Sequence, residues 1–326
     1  MECGAFKSGL TIFQNGKVSP CCVFDPNYYM DFSEIDPKDP WQGFEDGRGC
    51  RACRTPGWTY KSSFDMYLQH TDYALRHLDV RNTNLCNFEC IICTPEYSSK
   101  WAERLGHENK FVSTDFDVDL TNVEKIYFAG GEPLLNKKHW EILDAIPHPE
   151  NVSLVYSTNL STLYKAEQYW PRFKHVQLNP SCDGIGKFGE QVRLGLDWNM
   201  FCKNIDIARN IKNVQLEINY TVSLLNIWNI EETDNWATSV GIPVQYHRLN
   251  MPMHYCLSVL PQEFKEQIVY TPKDDNFEDK LAEDNSWLFE KTLSIILLND
   301  KLKGTDLWSY LPYQDWAKRH FILELS

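Results

Sequence analysis

Three cysteines lie in one short run, Asn84-Leu-Cys86-Asn-Phe-Glu-Cys90-Ile-Ile-Cys93. The spacing C-x3-C-x2-C lets one loop offer three thiolates to three irons of a cubane [4Fe–4S] cluster, which takes four ligands in all. The fourth iron then stays free to bind something else, as a catalytic metal keeps an open position. Zinc takes similar cysteine sets and could be completed by a remote residue, so spacing alone leaves both metals in play. A second group comprises Cys3, Cys21, Cys50 and Cys53, the last two as C-x2-C in Gly49-Cys-Arg-Ala-Cys-Arg. Four cysteines in two separated pieces suit a second [4Fe–4S] cluster or a closed zinc site. Cys22 competes with Cys21 for the ligand role, and the spacing favours Cys21. Cys182, Cys202 and Cys256 are isolated in the sequence and read as small buried apolar residues.

The elements that would carry these residues are visible in the hydropathy pattern. The first 60 residues are rich in Gly, Pro, Asp and Cys. They hold a short hairpin, Leu10-Thr-Ile-Phe13, then Asn15-Gly16, then Lys17-Val18. A segment so poor in core residues calls for a staple such as a metal. From about residue 77, short apolar runs alternate with amphipathic ones. Strands are expected over 77–81, 123–128, 152–156, 175–178, 214–222 and 244–246, the last kept short by Pro243. Helices are expected over 98–105, 138–145, 163–170 and 198–211. This alternation predicts an α/β fold with a parallel sheet and helices outside, and six units fit a partial (β/α)6 barrel better than a closed eight-unit one. The expected organisation is a cysteine-rich metal-binding module over 1–65, the barrel over 75–260 and a helical C-terminal region over 261–326. The second barrel strand runs into Ala129-Gly130-Gly131-Glu132-Pro133. Glycines at the C-terminal end of a parallel strand let backbone approach a ligand, and that end is where such sheets bind ligands.

C-x3-C-x2-C after the first strand, with Gly-Gly-Glu-Pro after the second, resembles the radical SAM superfamily. The resemblance implies that Cys86, Cys90 and Cys93 hold the cluster and that its open iron chelates the amino and carboxylate groups of S-adenosylmethionine (SAM). It also implies that Gly130, Gly131 and Glu132 contact the methionine amino group. Tyr156-Ser157-Thr158-Asn159 is similar to the family's turn after the third strand, which brings in Ser157 and Asn159. Asn179-Pro-Ser181-Cys-Asp183-Gly184, with Arg193 and Gly195, resembles the stretch after the fourth. There Ser181 and Arg193 are implied as contacts to the SAM ribose and carboxylate. Where the family often has an aromatic residue before the third cluster cysteine, this chain has Ile92. The order C-x12-G-x4-C followed by C-x2-C is similar to the twitch or SPASM auxiliary-cluster modules, here placed before the barrel.

The resemblance implies reductive SAM cleavage to a 5′-deoxyadenosyl radical that abstracts hydrogen from a peptide or protein side chain. The alternatives are a small molecule (nucleotide, sugar or amino acid) or a non-catalytic zinc or iron–sulfur electron carrier. It also implies an electron donor such as flavodoxin or ferredoxin. Tyr246, His247 and Arg248, at the end of the sixth strand, are candidates for the substrate side, and Cys256 is available as a hydrogen donor. The net charge of −13 argues against a nucleic-acid partner. No apolar run approaches the ~20 residues that span a bilayer. With no signal peptide evident, the expected setting is the reducing cytoplasm, where clustered cysteines point to metal rather than disulfides.

Overall fold

The computed structural model describes residues 5–36, 39–44, 49–50, 72–108, 110–272 and 277–320. In chain order the strands are β1 (Gly9–Phe13), β2 (Lys17–Ser19), β3 (Met30–Asp31), β4 (His77–Arg81), β5 (Glu89–Cys90) and β6 (Lys125–Phe128). There follow β7 (Ser153–Thr158), β8 (His175–Pro180), β9 (Arg193–Leu194), β10 (Val214–Leu216), β11 (Ile218–Val222) and β12 (Val244–Arg248). β4, β6, β7, β8 and β10 pair in parallel in chain order, and β11 pairs in parallel with β12. A parallel bridge between Ser181 and Asn219 carries the order from β8 to β11. Parallel neighbours need long crossovers. Those crossovers include helices Ser99–Arg104, Lys137–Ala145, Ala166–Tyr169, Trp198–Arg209 and Ile230–Val240. This is the expected partial barrel.

Three departures from the sequence expectation have physical causes. First, the expected fifth strand is broken at Glu217. Val176 and Cys182 donate backbone N–H groups to Asn213 and Asn219 on that strand. Pro180, between them and facing the same side, has no N–H to give, so the ladder lapses there. Second, the helix expected over 163–170 shrinks to Ala166–Tyr169, because Lys165 at its N-cap adopts left-handed φ +62°. Third, the N-terminal hairpin shares the barrel's sheet. β1 lies parallel to β4 in a five-residue register from Gly9↔His77 to Phe13↔Arg81. The turn is where Asn15-Gly16 predicted it, with Gly16 at φ +78°. Leu10, Ile12, Val18, Phe24, Trp41 and Phe44 join the barrel's own apolar cluster. The described part of the first 65 residues is therefore held by shared core and shared ladder.

Each barrel strand alternates. Leu78, Val80, Ile126, Phe128, Leu154 and Val176 are at most 2% exposed and face the helices. The other face carries Asp79, Arg81, Tyr127, Ser157, Gln177 and Asn179, all half-buried. Parallel strands covered on both sides are usually apolar throughout, so a polar second face marks an interior built for hydrogen bonding. A second apolar cluster joins Tyr220, Val222, Leu225, Leu293, Ile296 and Leu307 to Ile91. The long helix Phe289–Lys303 is thus packed against the end of the barrel that carries the cysteine loop.

On the helix side, His139 is fully buried. Its Nε2 lies 2.8 Å from Tyr156 Oη and its ring meets Phe128 edge-on. Burial pushes the imidazole down to about 3 from an ordinary 6.5. The unfolded chain therefore takes up a proton between pH 6.5 and 3 that the folded chain refuses, so stability is complete above 6.5 and falls as the pH drops. Urea unfolding is expected to show about 2 kcal/mol less stability at pH 5 than at pH 7 from this residue. His139→Leu removes that part of the slope.

Candidate metal centre

The loop that follows β4 is anchored by its own polar residues. Asn82, Thr83 and Asn84 are 1%, 2% and 1% exposed. Asn82 Nδ2 donates to Thr114 O, and Asn84 Nδ2 reaches Pro95 O and Lys110 O. Val112 N–H donates to Asn84 Oδ1, and Thr83 Oγ1 accepts from Leu85 N–H. Side chains that replace a backbone ladder in this way fix a loop that has no regular structure.

The cysteines come next. Ser99 Oγ meets both the N–H and the carbonyl of Cys86, at 3.2 and 3.3 Å. Ser98, the N-cap of helix Ser99–Arg104, donates its hydroxyl to Phe88 O (2.6 Å) while accepting Trp101 N–H. Trp101 Nε1 donates to Cys90 O (2.8 Å), and Cys93 N–H donates to Cys90 O (3.1 Å). Two donors point at the Cys86 sulfur, Phe88 N–H at 3.4 Å and Asn159 Nδ2 at 3.9 Å. Burial pushes the Cys86 and Cys93 thiols up to about 12 and raises Cys90 as well. Such thiols ionise readily only when a metal takes them. Three thiols on one rigid loop, with N–H groups aimed at a sulfur, suit an iron–sulfur cluster. Among the described residues, no three His, Cys, Asp or Glu side chains gather closely enough for a single ion.

The Gly-Gly-Glu-Pro turn is locked to this loop. Gly131 N–H donates to Thr83 O (3.0 Å), and Glu132 N–H donates to Leu85 O (2.6 Å). A Cβ on Gly131 would sit 2.2 Å from Leu85 O, and one on Gly130, at φ +102°, would sit 2.9 Å from Thr83 O. Glu132 is completely buried. Its carboxylate accepts from Leu134 N–H (3.1 Å), Thr158 Oγ1 (2.7 Å) and Asn159 N–H (2.6 Å). Burial raises its pKa against the pull of those donors. In this arrangement the side chain ties the turn after β6 to the turn after β7, and the backbone of Gly130 and Gly131 lies against the cysteine loop.

Arg193 stands directly across a short antiparallel ladder from Cys90. Its Nη1 donates to Asp183 Oδ2 at 2.7 Å, and its buried Nε has no hydrogen-bond partner among the described residues. Asp183 also accepts Thr221 N–H (2.9 Å). Asn159 lies beside Cys86 and bonds Asn87 Oδ1 (2.8 Å). The structure thus brings together Cys86, Cys90, Cys93, Gly130, Gly131, Glu132, Asn159 and Arg193. Ser157 sits further in, on the polar face, 2.7 Å from Tyr127 Oη. Ser181 lies at the β8–β11 bridge and gives its N–H to Thr158 O.

Cys3 and Cys53 fall outside the described residues. Cys21 and Cys50 are half-buried against the barrel core, and Cys22 is exposed. Asp25 N–H donates to Gly49 O (2.9 Å), so the segments carrying Cys21 and Cys50 adjoin. On β12, His247 Nε2 meets Asn219 Oδ1 at 2.7 Å, whereas Tyr246 donates to Asp234. Cys256 and Cys182 are buried, as expected of isolated cysteines, and Cys202 is half-buried. Met251 and Met253 are 70% and 46% exposed.

Nothing in the spacing of the Asn-Pro-Ser-Cys-Asp-Gly run marks its Asp183 as the partner of Arg193. The Asn82–Asn84 frame leaves only one signal in the sequence, polarity between a strand and a cysteine motif.

No family model matches the chain. Over 194 residues it is 25% identical to a GTP 3',8-cyclase of Psychromonas ingrahamii, covering 56% of this chain and 55% of that protein. Over 103 residues it is 31% identical to a GTP 3',8-cyclase of Campylobacter lari, covering 30% of each. The chain thus spans between 30% and 55% of the length of these curated relatives. Among solved structures, Streptococcus suis SuiB bound to S-adenosylmethionine is similar at a TM-score of 0.41 and 13% identity, over 72% of this chain and 52% of that one.

Proposed function

We propose that this chain, a member of the radical SAM superfamily, is an enzyme whose [4Fe–4S] cluster reductively cleaves S-adenosylmethionine to a 5′-deoxyadenosyl radical that abstracts hydrogen from a polar substrate. The observation that carries this reading is the locking of two turns. Gly131 and Glu132 donate into the backbone that leads to Cys86, and Asn159 on the next turn reaches the Cys86 sulfur.

Cys86, Cys90 and Cys93 would hold the cluster. Gly130 and Gly131 leave the cysteine loop free of a side chain on one flank. Glu132, whose carboxylate accepts from Leu134, Thr158 and Asn159, orients the turn and would shape it for an amino group. Arg193, held by Asp183 with its buried Nε unpartnered among the described residues, would receive a carboxylate beside Cys90. Ser157 and Ser181 would serve the ribose side. The polar face, with Arg81, Asn179 and His247 among its groups, would hold the substrate and keep water from the radical.

That face offers amide, hydroxyl and imidazole partners, which suit a peptide backbone or side chain entering from the open edge of the barrel. A second reading, a small-molecule substrate, is favoured by the similarity to proteins named GTP 3',8-cyclase. The electron would come from a donor such as flavodoxin or ferredoxin. Cys3, Cys21, Cys50 and Cys53 would form the second cluster, with zinc as the alternative there.

Anaerobic reconstitution with iron and sulfide, then reduction in the presence of SAM, tests the reading. The expected result is 5′-deoxyadenosine and about eight iron and eight sulfide per chain. About four iron with one zinc would remove the second cluster. A protein that carries its cluster, is reduced, and forms no 5′-deoxyadenosine would overturn the enzyme reading in favour of an electron carrier.

A further inference from the structure

The long helix Phe289–Lys303 ends at Gly304, whose φ of +68° closes it. A lysine in a last turn ordinarily caps its own helix. Lys303 does something else. Its Nζ donates to the carbonyl of Glu89 (2.8 Å), 214 positions away and immediately before Cys90. The same ammonium lies 3.6 Å from the centroid of the Trp101 ring, and that indole donates to Cys90 O. Arg104 adds a tie from the other direction, giving Nη1 to Leu302 O (3.1 Å).

The charges around the loop are not equivalent. Arg104 is paired with the Glu89 carboxylate and Arg193 with Asp183. Lys303 is held by a neutral carbonyl and an aromatic face, and the Glu89 carboxylate that acts on it is already paired with Arg104. It also interacts electrostatically with both Cys90 and Cys93. Burial pushes its pKa down to about 8, which leaves it cationic at neutral pH. An iron–sulfur cluster becomes more negative on reduction, and its potential follows local charge. A nearby fixed cation therefore favours the reduced state.

We infer that Lys303 is a positioning residue of the metal centre: it pins the Glu89–Cys90 backbone and its charge raises the reduction potential of the cluster held by Cys86, Cys90 and Cys93. The inference rests on the proposed cluster.

The test is an EPR-monitored redox titration of the anaerobically reconstituted full chain, without SAM turnover. In Lys303→Met the ratio of reduced to oxidised cluster at a fixed potential is expected to fall about tenfold, which is about 59 mV for one electron. Lys303→Arg should restore most of the shift. Lys301→Met, which removes an exposed charge from the same turn, should leave the midpoint unchanged. Lys303→Gln keeps a donor for Glu89 O without the charge, and reads the same effect if the methionine variant fails to retain iron. A cluster of wild-type content whose midpoint is unmoved in both uncharged variants overturns the inference alone. A wild type that takes up no [4Fe–4S] cluster overturns the metal-centre reading and this inference with it.

Discussion

Cys90→Ala is expected to lower 5′-deoxyadenosine formation by more than about 100-fold, the upper end of what is lost when even a supporting residue of a metal site is removed. Cys90 is the most enclosed of the three thiols at 8% exposure, and it sits between Arg193 across the ladder and the Trp101 indole on its carbonyl. Its sulfur has no substitute there, because its ladder partner is a cation. The fold should survive. Cys90 holds its place through backbone bonds to Trp101 and Cys93, which alanine keeps, so the unloaded variant should unfold within about 1–2 kcal/mol of the wild type. Iron content, 5′-deoxyadenosine yield and urea unfolding measured together separate loss of the metal from loss of the fold. Cys182→Ala is the matched control. Its buried thiol lies 3.3 Å from Gly184 O, outside the loop, and iron content should not change. A Cys90→Ala protein that still cleaves SAM would remove this loop from the chemistry.

Gly131→Ala should be nearly as damaging to the site, with a different signature. The added methyl would meet Leu85 O at 2.2 Å, Leu85 C at 2.6 Å and Asn84 C at 2.7 Å. These are backbone atoms, pinned by Thr83 Oγ1 and by the bonds of Asn84 to Pro95, Lys110 and Val112. Neither side can yield cheaply. A stability loss of about 1–3 kcal/mol is expected from the overpacking. Displacement of the segment before Cys86 should cost about 10–100-fold in cluster retention or SAM cleavage. Gly106→Ala is the comparison. Gly106 also has positive φ, at +71°, but nothing lies within 4 Å of a Cβ there. That variant should lose stability through backbone strain alone and keep its iron.

The cysteine loop and the Gly-Gly-Glu-Pro turn were legible because each is a local word. C-x3-C-x2-C needs only one loop, and a strand that ends in glycines declares a close approach whatever it approaches. The barrel strands were legible for the same reason: Leu78 and Val80, or Val176 and Leu178, alternate with polar neighbours in a period that belongs to the strand itself. The Asn15-Gly16 hairpin needed no more than its turn residues.

The partners were not legible. Ser98 could be guessed as a helix cap, but its hydroxyl also holds Phe88 O inside the cysteine loop. Pro180 lies beyond the strand expected over 175–178, yet in the sheet its missing N–H breaks the strand beside it. Glu132 reads as a ligand-facing acid, and the three donors that its carboxylate takes from Leu134, Thr158 and Asn159 are contacts that the sequence does not show.

By itself, then, the sequence determined which loop carries the thiols, which turn faces it and which kind of sheet presents both, since all three follow from neighbours along the chain. Only the tertiary structure decided what surrounds the thiols. Arg193 opposite Cys90, Asn159 on Cys86 and Lys303 over Trp101 are brought there by ladders and packing between segments far apart in the chain. Contacts of that kind leave no periodic or spaced trace, because their geometry exists only once the barrel and its C-terminal helix have closed on the loop.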